Sequence, residues 1–257
     1  MKRREFLATC AAVPVLANIA GAKSYTTWFD KDFDCPLCKT SNTFMVIGSY
    51  GSYIYGWPSK YQLIFWPVTD SPSVYCCRNC KLSLFLWDFD EFPKEKFEEA
   101  RKILKDIKLT FENGKYSQVA MTTRLEIAEK IYGLLDKKQE FWCRFHRILG
   151  YHHSAEGDQD KASKSRKKAL EIATEMIAKK DDSLDLKTQI LISGAMKHFL
   201  KEDLGAEADF KKALATKFED KEASAEEAAS AEKNINSFIE EYLTAIKSDK
   251  PPRGEDQ

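Results

Sequence analysis

The stretch DCPLCKT (residues 34–40) carries two cysteines three residues apart, and YCCRNCKLS (residues 75–83) repeats that spacing. Cys35 and Cys38 form the first C-x-x-C pair, and Cys77 and Cys80 form the second. Each pair closes a tight turn that points both sulfurs inward, so two such turns can place four thiolates tetrahedrally at about 2.3 Å from a zinc ion. Because four thiolates leave no open coordination position, the pattern predicts a structural zinc rather than a catalytic one.

The same cysteines allow other interpretations. An oxidising compartment would favour two disulfides or a mixed pairing, and the spacing does not separate zinc from iron. A redox dithiol normally lies at a helix N-terminus within a βαβ pattern, which this region lacks. A zinc knuckle usually has glycine after its second cysteine, whereas this chain has Lys39 and Lys81. A positive φ at a non-glycine costs about 1 kcal/mol, which metal binding can offset. Strand alternation is expected to point Cys76 away from Cys77.

The composition is that of a soluble globular protein. The chain has 257 residues, of which 43% are hydrophobic and 31% are charged. The 40 basic and 40 acidic residues give a formal net charge of zero. A general excess of Lys and Arg is therefore absent, and no nucleic-acid partner is expected.

Residues 1–22 have the order of parts of an export signal. A basic start precedes the apolar run of residues 6–20, and Ala20-Gly21-Ala22 supplies the small residues that a signal peptidase needs. The run is too short to span a membrane, and RREFL (residues 3–7) looks like a twin-arginine core. That resemblance implies export after folding, to the periplasm or cell envelope, with any metal already bound. The alternative is an amphipathic N-terminal helix of a cytoplasmic protein.

Residues 23–92 predict a small β-rich module. Aromatic and β-branched runs at 44–47, 52–55 and 61–66, separated by Gly and Pro, predict three or four short strands. About 70 residues of short strands bury little surface, so the module needs a staple. Its aromatic residues either pack against the helices or form a recognition surface, and an exposed groove would instead favour a small-molecule or peptidoglycan ligand. The candidate partner-binding aromatics are Tyr53, Tyr55, Trp57, Tyr61 and Trp66.

Residues 93–247 predict an all-α region. Pro93 stands at a first helical position, and apolar residues follow three and four apart. Predicted breaks fall near residues 113–114, 136–138, 157–158, 179–183, 202–203 and 218–220. The charged tail of residues 248–257 is predicted to be disordered.

Small residues recur within the helices at matching offsets. Gly150 is followed by Ala162 and Ala169, and 44 residues further along Gly194 is followed by Ala206 and Ala213 at the same spacing. This looks like the tetratricopeptide pattern, in which small residues let antiparallel helices approach closely. The second copy has the groove-filling Phe210, and the first has Arg166 there. The alternative is chance recurrence of small residues in alanine-rich helices.

The order of these parts, with WDF (residues 87–89) and RLEIA (residues 124–128), resembles a bacterial family of unknown function. The resemblance covers residues 33–215. It implies a zinc-ribbon-like N-terminus followed by tetratricopeptide-like helices, but no assigned activity.

Catalytic motifs are missing from the sequence. His146 and His153 share a helix face near Glu156, but the H-E-x-x-H spacing is absent, so ordinary helix residues are expected. Cys143 follows two aromatic residues and predicts a core thiol. No G-x-S-x-G, phosphate loop or G-x-G-x-x-G occurs.

The sequence therefore predicts an α+β protein in which a small zinc ribbon precedes a tetratricopeptide-like array. The expected function is an exported, non-enzymatic scaffold that binds a protein or peptide partner on its helices. The alternative is an exported thiol–disulfide oxidoreductase that uses the C-x-x-C pairs. The oligomeric state is not predicted.

Overall fold

The computed structural model describes residues 27–49, 71–111, 114–220 and 223–248. Contacts divide the chain into two compact units. The described residues of the first unit are 27–49, 71–111 and 114–135, and those of the second are 136–220 and 223–248. The predicted change from strands to helices at Pro93 therefore falls inside the first unit.

The described residues contain four strands followed by seven α-helices, in agreement with the predicted α+β class. The strands are β1 (Thr27–Asp34), β2 (Ser41–Ser49), β3 (Val74–Cys76) and β4 (Ser83–Phe85). The helices are α1 (Phe97–Leu104), α2 (Met121–Tyr132), α3 (Gln139–Ala155), α4 (Gln159–Lys179), α5 (Leu186–Phe199), α6 (Asp203–Ala215) and α7 (Ala225–Ser248). No helix in these described ranges is both long enough and apolar enough to cross a membrane.

The strands form two separate antiparallel hairpins, β1–β2 and β3–β4. The last pair of the first hairpin before its loop is Asp34 with Ser41, and that of the second is Cys76 with Ser83. Each loop therefore contains one C-x-x-C pair. The predicted strand at residues 44–47 lies within β2, and those at residues 52–55 and 61–66 lie outside the described residues.

An aromatic cluster joins the two hairpins. The ring of Phe44 in β2 stacks on Tyr75 in β3 at a centroid distance of 4.2 Å. Phe89 and Tyr116 meet Phe44 edge-on, each at 4.9 Å. The Tyr75 hydroxyl also donates to the Met45 carbonyl at 3.0 Å. Such ring contacts contribute about 0.5–1.5 kcal/mol each beyond the area they bury.

Helix α2 is bonded to the β3–β4 hairpin by two buried polar side chains. Arg124 is fully buried, and its guanidinium donates to the carbonyls of Ser71 and Val74 at 2.6 Å each. The hydroxyl of Tyr132 accepts a hydrogen bond from the Phe85 amide at 2.9 Å. These bonds fix the hairpin on the helix, because an unsatisfied buried polar group is costly.

In the second unit, consecutive helices pack in pairs, α3 along α4 and α5 along α6. A Cβ placed on Gly194 would lie 2.7 Å from the Phe210 ring, and one on Gly150 would lie 3.0 Å from Cγ of Arg166. Both glycines thus allow a close approach at corresponding positions of the two pairs. The four alanines of the sequence pattern are fully buried: Ala162, Ala169, Ala206 and Ala213.

Helix α7 completes the core of the second unit. Tyr242 stacks on Phe210 at 4.8 Å, and Ile235 and Ile239 join the same apolar cluster. Lys187 in α5 is fully buried, and its ammonium donates to the Thr216 carbonyl at 2.7 Å. The helical unit therefore has an extended apolar core, whereas the strand-containing unit has two separate two-stranded hairpins and an aromatic cluster.

Candidate metal centre

The loop of the first hairpin, which we call the first turn (residues 35–40), is closed by two backbone hydrogen bonds. The Cys35 amide donates to the Thr40 carbonyl at 2.9 Å, and the Lys39 amide donates to the Cys35 carbonyl at 2.9 Å. Lys39 has a φ of 61°, in the left-handed region. The bonds bend the chain back so that the side chains of Cys35 and Cys38 lie together.

The second turn (residues 77–82) has the same hydrogen bonds at the same spacing. The Cys77 amide donates to the Leu82 carbonyl at 2.9 Å, and the Lys81 amide donates to the Cys77 carbonyl at 3.0 Å. Lys81 has a φ of 69°. The sequence placed both lysines where a knuckle needs a positive φ, and that expectation is confirmed.

The two turns bring the four predicted cysteines into one cluster, the cysteine quartet (Cys35, Cys38, Cys77 and Cys80). Their sulfurs all lie within 4.8 Å of one another. The Cys35–Cys80 and Cys38–Cys77 sulfur distances are 3.5 and 3.6 Å. Sulfurs arranged tetrahedrally at 2.3 Å from a metal are about 3.8 Å apart. The quartet therefore fits a single metal ion, and its donor set suits zinc and iron alike.

The six cysteines of the described residues are free thiols. The shortest sulfur–sulfur distance within the quartet, 3.5 Å, is well beyond the length of a disulfide bond, about 2.05 Å. Cys35 and Cys77 are fully buried, and Cys38 and Cys80 are half-buried. Four thiol donors are enough to complete the tetrahedral coordination of one ion.

Crowding gives the Cys35, Cys77 and Cys80 thiols different pKa values. Hydrogen bonds from Cys35 and Cys80, together with the backbone amides of Cys80 and Asn79, hold the pKa of Cys77 far below its usual range. The bond to Cys77 raises the pKa of Cys35 to about 12, and the bond to Cys35 raises the pKa of Cys80. The thiolate form of Cys77 is thus favoured, and deprotonation of Cys35 and Cys80 is disfavoured. A bound dication reverses this, because it attracts thiolates and releases their protons.

Two polar side chains connect the turns. Asn42 is 3% exposed; its amide nitrogen donates to the Thr40 carbonyl at 2.7 Å and lies 3.5 Å from the Cys77 sulfur. Its amide oxygen accepts from the Arg78 backbone amide at 2.8 Å. Asn79 donates to the Thr40 hydroxyl at 3.0 Å. Asn42 was not predicted from the sequence. Its place two residues before the buried Phe44 puts it on the same inward face of β2, and a polar residue on such a face is a recognisable signal of a buried hydrogen bond.

Cationic side chains cover the carbonyls of both turns. Arg101 in α1 donates to the Leu37 carbonyl at 3.1 Å. The ammonium of Lys81 donates to the carbonyls of Arg78 and Asn79 at 2.8 and 3.0 Å. A tetrathiolate that holds one dication keeps a net negative charge, so nearby cations stabilise it.

The remaining cysteines lie apart from the quartet. Cys76 is buried, with its sulfur 3.9 Å from the Lys81 carbonyl, and burial raises its pKa to about 11. Cys143 is 2% exposed in the second unit, its sulfur is 3.6 Å from the Ala169 carbonyl, and burial raises its pKa. Both thiols are therefore protonated and inert at neutral pH, and the prediction of a core thiol at Cys143 is confirmed.

The other candidates of the sequence analysis do not assemble into a second centre. His146 and His153 are both buried on α3, and within the described ranges the quartet is the one cluster of Cys, His, Asp or Glu that could hold a metal. Ser248, the first residue of the predicted disordered tail, is the last residue of α7. The predicted export signal (residues 1–22) and the rest of the predicted tail (residues 249–257) lie outside the described residues. So do the five candidate partner-binding aromatics, Tyr53, Tyr55, Trp57, Tyr61 and Trp66.

Comparisons with known proteins give no relative. No protein-family model matches the chain, and no similar curated protein or solved structure is found. The function proposed below is therefore inferred from the cysteine quartet and from the packing of the helical unit.

Proposed function

We propose that this chain is an exported, non-catalytic scaffold in which a structural zinc ion holds the strand-containing unit and the helical unit binds a protein or peptide partner. The observation that carries the proposal is the closed cysteine quartet. All four donors come from two matching turns, their sulfurs lie within 4.8 Å of one another, and two of the cysteines are fully buried. Closed tetrathiolate sites stabilise folds, whereas catalytic zinc keeps a position for water or substrate.

Zinc is the proposed occupant because the hairpins need an external source of stability. The β3–β4 hairpin has only three residues in each strand, and the two hairpins form separate sheets. Two-stranded sheets of this size are marginal without further support. A tetrathiolate ion would join the loops of both hairpins at one point.

The partner-binding role is proposed for the helical unit as a tetratricopeptide-like array. Gly150 and Gly194 allow their helices to approach the next helix closely at corresponding positions, as the tetratricopeptide pattern predicts. The same unit has an open cavity of about 1060 Å³ between the α4–α5 and α6–α7 connections. Its lining combines apolar Leu184 and Phe218 with carboxylates and lysines, which suits an extended peptide with mixed side chains.

Export and the relationship to the bacterial family of unknown function belong to the same proposal. Export is supported by the order of parts in residues 1–22. The family relationship is proposed from the order of the parts and from the segments WDF (residues 87–89) and RLEIA (residues 124–128).

Metal analysis of the purified full-length chain, combined with thiol counting under native conditions, tests the zinc staple. One zinc per chain is expected, and Cys35, Cys38, Cys77 and Cys80 should be protected from a soluble alkylating reagent in addition to the buried Cys76 and Cys143. A metal-free protein with a reducible cysteine pair would instead support the runner-up, an exported thiol–disulfide oxidoreductase. A pull-down from the cell-envelope fraction with the full chain, compared with a Gly194→Trp variant that disturbs the helical unit, tests the partner role.

A further inference from the structure

Both polar atoms of the Asn42 side chain form hydrogen bonds next to the quartet. Its nitrogen donates to the Thr40 carbonyl at 2.7 Å and approaches the Cys77 sulfur at 3.5 Å, and its oxygen accepts from the Arg78 amide at 2.8 Å. Only 3% of the residue is exposed. An amide has two donors and an acceptor, and here each has a partner in a site from which water is excluded.

These three partners belong to both turns. The Thr40 carbonyl ends the first turn, where it also accepts from the Cys35 amide. Arg78 and Cys77 belong to the second turn, so one side chain of the first hairpin holds both the backbone and a sulfur of the second. The corresponding position of the second hairpin, seven residues after its first cysteine, is Leu84, which is fully buried and has no polar side-chain atoms. At this position, therefore, only the first hairpin has a polar side chain that bonds the other turn, although the backbone hydrogen bonds of the two turns match.

The consequence is that the Cys77 sulfur is contacted by nitrogen donors of both hairpins. The backbone amides of Asn79 and Cys80 already point at its sulfur, and the Asn42 amide adds a third nitrogen donor. An N–H bond to a thiolate withdraws electron density and weakens the sulfur's donation to a metal, while fixing its direction.

We propose that Asn42 is the positioning residue of the metal centre: it sets the placement of the two turns and lowers the electron donation of the Cys77 sulfur to the ion. This inference rests on the proposed metal binding. Outer-shell residues of this kind typically account for a factor of about 10 to 100 in metal affinity. Asn42 therefore contributes to how tightly the ion is held without touching it.

The test uses the full-length chain loaded with Co²⁺, whose absorption reports both geometry and sulfur donation. Asn42→Leu removes all three bonds. Asn42→Asp keeps an acceptor for the Arg78 amide but replaces the donor with oxygen that repels the Cys77 thiolate. Asn79→Ala is the matched control, because this second asparagine also connects the turns but its side chain bonds the Thr40 hydroxyl instead of a sulfur.

Both Asn42 variants are expected to bind Co²⁺ about 10- to 100-fold more weakly in competition with a chelator. At saturating Co²⁺ they should keep the tetrahedral bands, while the sulfur-to-cobalt charge-transfer band moves to longer wavelength. The control should keep the affinity and the band of the parent chain. A variant that stays unfolded without metal is measured at saturating Co²⁺, since binding drives folding of such sites.

Three outcomes would overturn the proposal or its basis. Unchanged affinity and band position in both Asn42 variants would refute the role of Asn42 alone. Weaker binding with an unmoved charge-transfer band, or an equal loss in the control, would reduce Asn42 to a general packing residue and refute its effect on Cys77. No tetrathiolate spectrum in the parent chain would refute the proposed metal centre itself.

Discussion

Each of the two compact units of this chain is stabilised internally by different interactions. The helical unit buries a continuous apolar cluster, with residues such as Ile190, Met196 and Phe210 at or below 1% exposure. The strand-containing unit relies on the cysteine quartet, on stacked aromatic rings and on a buried arginine. Helices can satisfy their backbone locally, whereas hairpins of three residues per strand need contacts from elsewhere in the chain. The proposed metal would therefore support the strand-containing unit only.

The largest effect is expected from Cys77→Ser, which removes one quartet sulfur. The chain should lose bound metal and several kcal/mol of stability in the strand-containing unit, because binding free energy of a structural zinc is largely folding free energy. Native mass spectrometry measures the metal, and hydrogen exchange measures the protection of each unit. Cys76→Ser is the matched control, since Cys76 is the adjacent buried cysteine outside the quartet, and it should keep the metal. Equal metal loss in both variants would contradict the assignment of ligands.

A second large effect is expected at Arg124, the buried arginine of α2. Arg124→Met leaves the carbonyls of Ser71 and Val74 without their donor and should destabilise the strand-containing unit by about 2–4 kcal/mol. Denaturant unfolding of the metal-loaded chain measures this change. Arg101→Met, which loses one bond to Leu37 at a more exposed position, should cost much less. Similar losses in the two variants would mean that burial of Arg124 is unimportant.

An effect confined to the other unit is expected from Gly194→Ala. The added Cβ would lie 2.7 Å from the Phe210 ring, and such overpacking costs about 1–3 kcal/mol. Metal content should not change. At Gly205 the added Cβ would meet only the flexible Lys197 side chain at 3.3 Å, so Gly205→Ala should be neutral or stabilising by up to about 1 kcal/mol. Thermal unfolding compares the two, and a destabilised Gly205→Ala with a neutral Gly194→Ala would reverse the account of helix packing.

The smallest effect is expected at the two lysines with positive φ. Lys39→Gly removes a strained non-glycine residue and should stabilise the metal-loaded chain by up to about 1 kcal/mol. Lys81→Gly also relieves strain but loses two bonds from its ammonium to turn carbonyls, so its gain should be smaller. Chemical denaturation with metal present measures both. A larger gain for Lys81→Gly would show that its ammonium contributes nothing.

The sequence was sufficient for the quartet, because cysteine spacing alone fixes a turn that gathers two sulfurs. The positive φ of Lys39 and Lys81 followed from the same turn geometry. Strand β1 could not be foreseen: its sequence, TWFDKDFD, is charged and largely exposed, so it forms by pairing with β2 and not by burial of an apolar face. Asn42 was missed because it acts through Arg78, a partner 36 residues away that no local pattern reveals.

Exhaustive chelation of the native full-length chain, followed by hydrogen exchange resolved along the sequence, measures most directly whether an ion supports one unit only. We expect residues 27–49, 71–111 and 114–135 to lose their protection while residues 136–220 and 223–248 keep theirs, and added zinc to restore the first set. Retained protection of the strand-containing unit without metal would contradict this account. So would quartet thiols that prove to be joined as disulfides in the native protein.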